Sequence, residues 1–173
     1  MTFNYEETLQ FGEDKTEYKK LTSEFVSTAE FAGKSILMVE QAGLKLLAQN
    51  ALEEISFKLR TSHLAKVAKI LSDPEASEND RFVANNLLQN AVIAVKGQLP
   101  SCQDTGTGIV YAKKGQQVWT EGDDAESLSE GIFAAYAQRN LRYSQMAPLS
   151  MFDEVNTGCN LPAQIDLLHT SGK

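Results

Sequence analysis

Residues 100–110, Pro-Ser-Cys-Gln-Asp-Thr-Gly-Thr-Gly-Ile-Val, set a thiol, an amide and a carboxylate on three consecutive positions beside two glycines. A thiolate can attack carbon or ligate a metal. A carboxylate can carry a proton. Glycines let backbone N–H groups approach a ligand closely. Buried filler rarely keeps such polar company, so Cys102, Gln103 and Asp104 are candidates for a working loop. Asp104-Thr105-Gly106 also spells the D-T-G of aspartic proteases. That chemistry needs two carboxylates sharing a proton, each at the end of an apolar strand. Asp104 follows no such strand, and the one echo, Asn156-Thr157-Gly158, carries an amide where the second acid should stand. A cysteine nucleophile needs a histidine base. His63 and His169 are the two histidines, and neither sits in a motif. No C-x-x-C, H-E-x-x-H or EF-hand spacing is present. One cysteine cannot hold a zinc ion or an iron–sulfur cluster by itself.

The elements that must position this loop are mostly helical on its N-terminal side. Residues 1 to about 35 are polar and read as an irregular arm. Leu44, Leu47, Ala51, Ile55 and Leu59 recur at helical spacing and predict a helix over 41–59. Leu64, Val67, Ala68 and Leu71 mark a second, shorter one, stopped by Asp73-Pro74. Ser77 with Asp80 resembles a capping box, with Asp in place of the usual Glu, and opens a third. That third helix carries Val83, Leu87, Leu88, Ala91 and Val95 and stops at Gly97 and Pro100. After the loop, Thr107–Gly115 and Gln117–Thr120 read as a hairpin. Asp123 and Asp124 cap a helix running to about Tyr143, with Leu128, Ile132, Ala135 and Tyr136 on its buried face. Asn156–Pro162 reads as a loop, and 163–169 as a strand. The turn-like Thr170-Ser171-Gly172-Lys173 then follows with no partner strand, so the sequence reads as a domain stopped midway.

Composition limits the functions. The chain has 173 residues, 42% of them hydrophobic, and a formal charge of −7. That length and apolar content suit one domain. The acidic balance argues against a nucleic-acid partner. No apolar run approaches a membrane span of about 20 residues, and the first ten residues carry no secretory signal pattern. Two cysteines build no disulfide framework, which fits a reducing cytoplasmic setting.

Three stretches together resemble one family. P-S-C-Q-D-T-G-T, N-L-R-Y-S-Q at 140–145 and V-N-T-G-C-N-L-P-A-Q-I at 155–165 are similar to the N-terminal part of class I fumarate hydratases. These are iron–sulfur hydro-lyases whose catalytic domain is shared with the α-type tartrate dehydratases. D-P-E-A-S-E-N-D at 73–80 resembles the long single-chain bacterial fumarases more than the two-subunit tartrate enzymes. The resemblance implies that Cys102 is the first of three cysteines holding a 4Fe–4S cluster, so one ligand of three is present. It implies that Gln103 donates a hydrogen bond to substrate, that Asp104 is both a substrate contact and an acid/base group, and that Arg142 clamps a substrate carboxylate. Without the motif, Arg142 reads as an exposed cation at a helix end. Asn156, Thr157 and Gly158 match a family loop of open role. Cys159 stands where the family pattern has Thr and is not counted as a ligand.

The expectation is therefore an α+β fold: a mostly helical first half, then a small sheet with one long helix, as an incomplete domain. It divides into an arm (1–35), a helical segment (36–97) and a Cys-loop α/β segment (98–173). The resemblance implies reversible hydration of fumarate to (S)-malate by a cytoplasmic protein that is a homodimer when intact. The alternative is a non-catalytic truncated fragment, or a helical interaction module, unable to hold a cluster.

Overall fold

The computed structural model describes residues 3–6, 17–102 and 106–172. Among them lie seven strands and four helices. A hairpin of β1 (Val26–Phe31) and β2 (Lys34–Val39) comes first, running from the arm read as irregular (1–35) into the start of the segment read as helical. Its turn is Ala32-Gly33, with φ of 50° and 73°. Two positive φ values are what a two-residue hairpin turn needs. The sequence signal is weak because Ala stands where Asn or Asp is usual.

Three helices follow: α1 (Gln41–Phe57), α2 (Thr61–Ile70) and α3 (Glu78–Ala94). The capping box at Ser77 and Asp80 forms in both directions. After the cysteine loop come β3 (Ile109–Gly115), β4 (Val118–Thr120) and α4 (Asp124–Gln138). The chain continues with a hairpin of β5 (Met146–Pro148) and β6 (Glu154–Asn156), then β7 (Gln164–Thr170). The architecture is mixed α+β.

β3 and β4 do not pair with each other, which corrects the hairpin expected there. β3 runs parallel to β7, with Ile109 opposite Gln164. β4 runs parallel to β2, which is antiparallel to β1. Gln116-Gln117 between them provides neither of the positive-φ residues a tight hairpin requires. Instead the Gln116 and Gln117 N–H groups donate to the Thr170 and Gly172 carbonyls at 2.8 Å each. The chain thus switches sheets at this point. Lys114 of β3, Thr120 of β4 and Asp124 of α4 bond to one another and bind the two sheets to the helix. Burial alone would push the Asp124 carboxyl up. The hydrogen bonds from Lys114 and Thr120 outweigh it and, helped by the nearby His169, hold Asp124 below its ordinary value.

The core sits where α1, α4 and the β3–β7 pair meet. Ala48, Phe57, Leu128, Ile132, Tyr136 and Leu141 are buried there, with Val110, Ile165 and Leu167 packed against them. Burying one Leu or Ile of this set stabilises the fold by roughly 1.5–3 kcal/mol. Gly131 lets the two helices approach. A Cβ at that position would run into the Lys45 carbonyl and come within 2.8 Å of the Ala48 methyl.

The apolar face expected on α1 is displaced. Its packed stripe is Leu44, Ala48, Leu52 and Phe57. Leu47 and Ile55 are 50% and 61% exposed, and they line an open groove of about 780 Å³ with Ile109 and Val118. On α3 the structure buries Ala84 and Ala94 and leaves Val83, Leu87 and the C-cap Val95 exposed. The helical period predicted for both segments holds; the direction of the face differs, because it is set by the neighbour each helix meets. α4 ends at Gln138, short of Tyr143, since Asn140 turns to a φ of 50° and breaks the helical path.

Candidate functional site

The cysteine loop is fixed on both sides. Ser101 is buried, and both its N–H and its hydroxyl donate to the Ser56 carbonyl at 2.8 Å. That carbonyl lies in the last turn of α1, where the helix itself offers no donor. The Cys102 N–H donates to the Asn90 side chain of α3 at 2.8 Å, and Cys102 itself is exposed. On the far side, the Tyr136 hydroxyl of α4 donates to the Gly106 carbonyl at 2.9 Å. Gln164 of β7 donates its N–H to the Gly108 carbonyl at 2.9 Å. The loop is therefore held by α1, α3 and α4 and by the β3–β7 pair. Gln103 and Asp104, predicted to contact substrate, lie outside the described residues.

Arg142 sits three residues beyond the C-cap Arg139, on the loop leading to β5, and is exposed. The helix-end cation is Arg139, paired with Glu53 at 3.4 Å and lying 4.9 Å over the Phe57 ring. Leu141 is buried beneath the loop, and its N–H donates to the Tyr136 carbonyl at 3.0 Å.

The organising residue of this region is Asn160, fully buried at 0% exposure. Its side-chain oxygen accepts from the Ser144 and Gln145 N–H groups, each at 2.9 Å. Its side-chain nitrogen donates to the Arg142 carbonyl at 2.8 Å. Neighbours complete the clasp. The Thr157 N–H donates to the Gln145 carbonyl at 2.9 Å. The Asn156 amide donates to the Tyr143 carbonyl at 2.8 Å and accepts from the Gly158 N–H at 2.8 Å. The Thr157 hydroxyl accepts from the Asn160 N–H at 3.0 Å. Asn156, Thr157 and Gly158 thus form a turn that caps the arginine loop.

Tyr136 links the clasp to the cysteine loop. Burial pushes its phenol up, and a hydrogen bond with the Asn160 side chain partly offsets this. Its ring lies 6.3 Å from that of Tyr143, at 29°. The three stretches that carry the family resemblance therefore meet at Tyr136 and Asn160. Tyr136 is legible in the sequence only as a polar-tipped residue on an apolar stripe. Asn160 stands between Gly158 and Pro162 as an unremarked loop amide, and its φ of 54° is a conformation that Asn tolerates. Nothing in the sequence alone separates a buried amide from an exposed one.

As a metal donor, Cys102 offers one exposed sulfur on an anchored loop. Among the described residues, no three Cys, His, Asp or Glu side chains come together as a metal-holding group. The described residues therefore fit one corner of a cluster site and not a whole one. His63 is exposed on α2, and His169 lies on β7 by Asp124. No helix among the described residues is long and apolar enough to cross a membrane.

A family model described as fumarate hydratase (Fumerase) matches residues 45–173. The chain is 56% identical to the anaerobic class I fumarate hydratase of Escherichia coli K12, covering 98% of the chain and 31% of that relative. It is 55% identical to the aerobic class I fumarate hydratase of the same strain, with the same coverage. The L(+)-tartrate dehydratase subunit alpha of E. coli K12 is more distant, 30% identical over 53% of this chain and 29% of the relative. The ranking agrees with the stronger likeness to the long fumarases at 73–80. The chain spans 31% of the length of the two fumarate hydratases.

Proposed function

This chain belongs to the fumarate hydratase family, and from that premise we propose that it supplies part of the site of a class I hydro-lyase, which hydrates fumarate reversibly to (S)-malate. The reading is carried by the 56% identity to a class I fumarate hydratase over 98% of the chain. Cys102 is assigned as one of three thiolate ligands of a 4Fe–4S cluster. Its exposure on a pinned loop suits a ligand that reaches out of the fold. The remaining donors would come from protein outside this chain. When bound, such a cluster supplies a Lewis acid at an open iron position.

The chain's own residues bind and orient the substrate. Arg142 pairs with one substrate carboxylate, a task for which the planar guanidinium fork is suited. Its exposed position on a loop anchored by Asn160 supports this role. Gln103 donates a hydrogen bond to the substrate. Asp104 contacts the substrate and exchanges the proton on the carbon next to a carboxylate, opposite the departing or arriving hydroxide. Both assignments rest on the motif. For the intact protein we take a cytoplasmic homodimer, which light scattering and cell fractionation test.

The test uses the full-length protein carrying this chain, reconstituted anaerobically with iron and sulfide. Cys102→Ala is expected to lose the cluster absorbance and fumarate hydration together. Retention of both sinks the assignment. Arg142→Gln is expected to raise KM for malate about tenfold, the scale of one lost charge-assisted bond. A second reading, an interaction module without catalysis, draws on the open apolar groove beside α1. A full-length protein that takes up no stoichiometric cluster would favour that module.

A further inference from the structure

We propose that Asn160 and Tyr136 are positioning residues that hold the Arg142 loop in register with the cysteine loop, so that both ends of the substrate site are set by one buried relay. The inference deepens the reading above and rests on Arg142 as the carboxylate clamp. A buried amide costs stability unless its groups are paired. Three of the Asn160 side-chain hydrogen bonds fall within the span Arg142–Gln145, and the same side chain meets the Tyr136 hydroxyl. One side chain thereby fixes the backbone from the arginine's own carbonyl to Gln145.

Tyr136 carries the constraint onward. Its hydroxyl donates to the Gly106 carbonyl, two residues past Asp104. Its ring faces Tyr143, the residue after Arg142. Both Asn160 and Tyr136 are shut away from solvent, at 0% and 4% exposure. They act through the loops they hold and not on the substrate. Misplacing a clamp by a fraction of an ångström weakens binding and turnover without unfolding the protein.

The experiment uses Asn160→Asp and Tyr136→Phe in the reconstituted full-length protein, with Arg142→Gln alongside. Asn160→Asp keeps the shape and both acceptor bonds but turns the donor facing the Arg142 carbonyl into an acceptor. KM for malate is expected to rise about tenfold with kcat changed by less than about threefold. Tyr136→Phe is expected to lower kcat about tenfold with KM nearly constant, because it releases the cysteine loop. It is also expected to speed hydrogen exchange at the Ser144 and Gln145 amides several-fold. Tyr136 is hydrogen-bonded to neither amide, and the exchange readout needs no turnover. If Tm falls in both variants while KM, kcat and the exchange rates stay at wild-type values, the two residues only stabilise the fold and the inference is overturned. Should Asn160→Asp fail to fold, Tyr136→Phe decides alone through kcat and exchange. Unchanged KM in Arg142→Gln overturns the clamp reading. A raised KM there, with Asn160→Asp and Tyr136→Phe unaltered, overturns the relay alone.

Discussion

Between residues 142 and 162 the chain is tied by side-chain hydrogen bonds that span 13 to 18 positions. The α2–α3 arm is held differently. Apart from the Asn90 bond to the Cys102 loop, its polar ties are local, from Ser77 to Asp80 and from Arg81 to the Asp73 carbonyl eight positions back. The two helices pack chiefly on each other, and α2 buries no residue fully. Phe82 and Val92 on α3 are 65% and 62% exposed. The difference is one of tolerance. A clasp that joins distant segments by single bonds gathered on a buried amide transmits a local change to the site. An arm with exposed apolar faces absorbs it.

That contrast can be tested from its strong side first. Gly131→Val should open the α1–α4 seam and cost about 3 kcal/mol or more, since backbone and not a flexible side chain blocks the added methyls. Urea denaturation measures it, and a loss under about 1 kcal/mol would mean the core is as tolerant as the arm. Asp124→Asn should cost about 2 kcal/mol by weakening the bonds to Lys114 and Thr120. The pH dependence has a definite sign. Because the folded Asp124 is held below its ordinary value, its contribution is complete above the unfolded value, about pH 4, and fades as pH falls through the folded value. Thermal melts from pH 7 to pH 3 should therefore fall more steeply for the parent than for Asp124→Asn.

The arm should give smaller numbers. Ser77→Ala removes the N-cap acceptor of α3 and should cost about 1 kcal/mol. The same loss should leave the Cys102 loop's amide exchange unchanged if the arm is independent; faster exchange at Cys102, whose N–H is held by Asn90 of α3, would join the two regions. Phe82→Ser should shift stability by no more than about 0.5 kcal/mol, as an exposed ring contributes little. A large loss in a melt would show that α3 has a packing partner.

The sequence was most informative where the signal is local. The helical period placed α1, α2 and α3 within a few residues, and the Ser77 cap formed as read. It was misleading where pairing is distant. Nothing in Gln116-Gln117 reveals that β3 seeks β7 and β4 seeks β2. The faces of α1 and α3 erred for a related reason: Leu47 and Val83 satisfy the periodicity, but their neighbours do not bury them. At the site, the motif stretches marked Cys102 and Arg142. Asn160 and Tyr136, which join those stretches, were missed because their importance is a matter of burial and partners.

The parallel pairing of β3 with β7 also bears on how the protein is made. On the ribosome, β3 emerges well before its partner, and α4, the arginine loop and the β5–β6 hairpin are all synthesised in between. At about 5–20 residues per second, this leaves β3 unpaired with β7 for a time on the order of seconds. Ile109, Val110 and Ala112 of β3 line the α1 groove in the folded protein, and until β7 arrives this apolar strand has an unpaired edge, so the nascent chain is most open to aggregation before residue 164 has been added. Pauses in translation within that window should lower the yield of folded protein more than pauses placed after it.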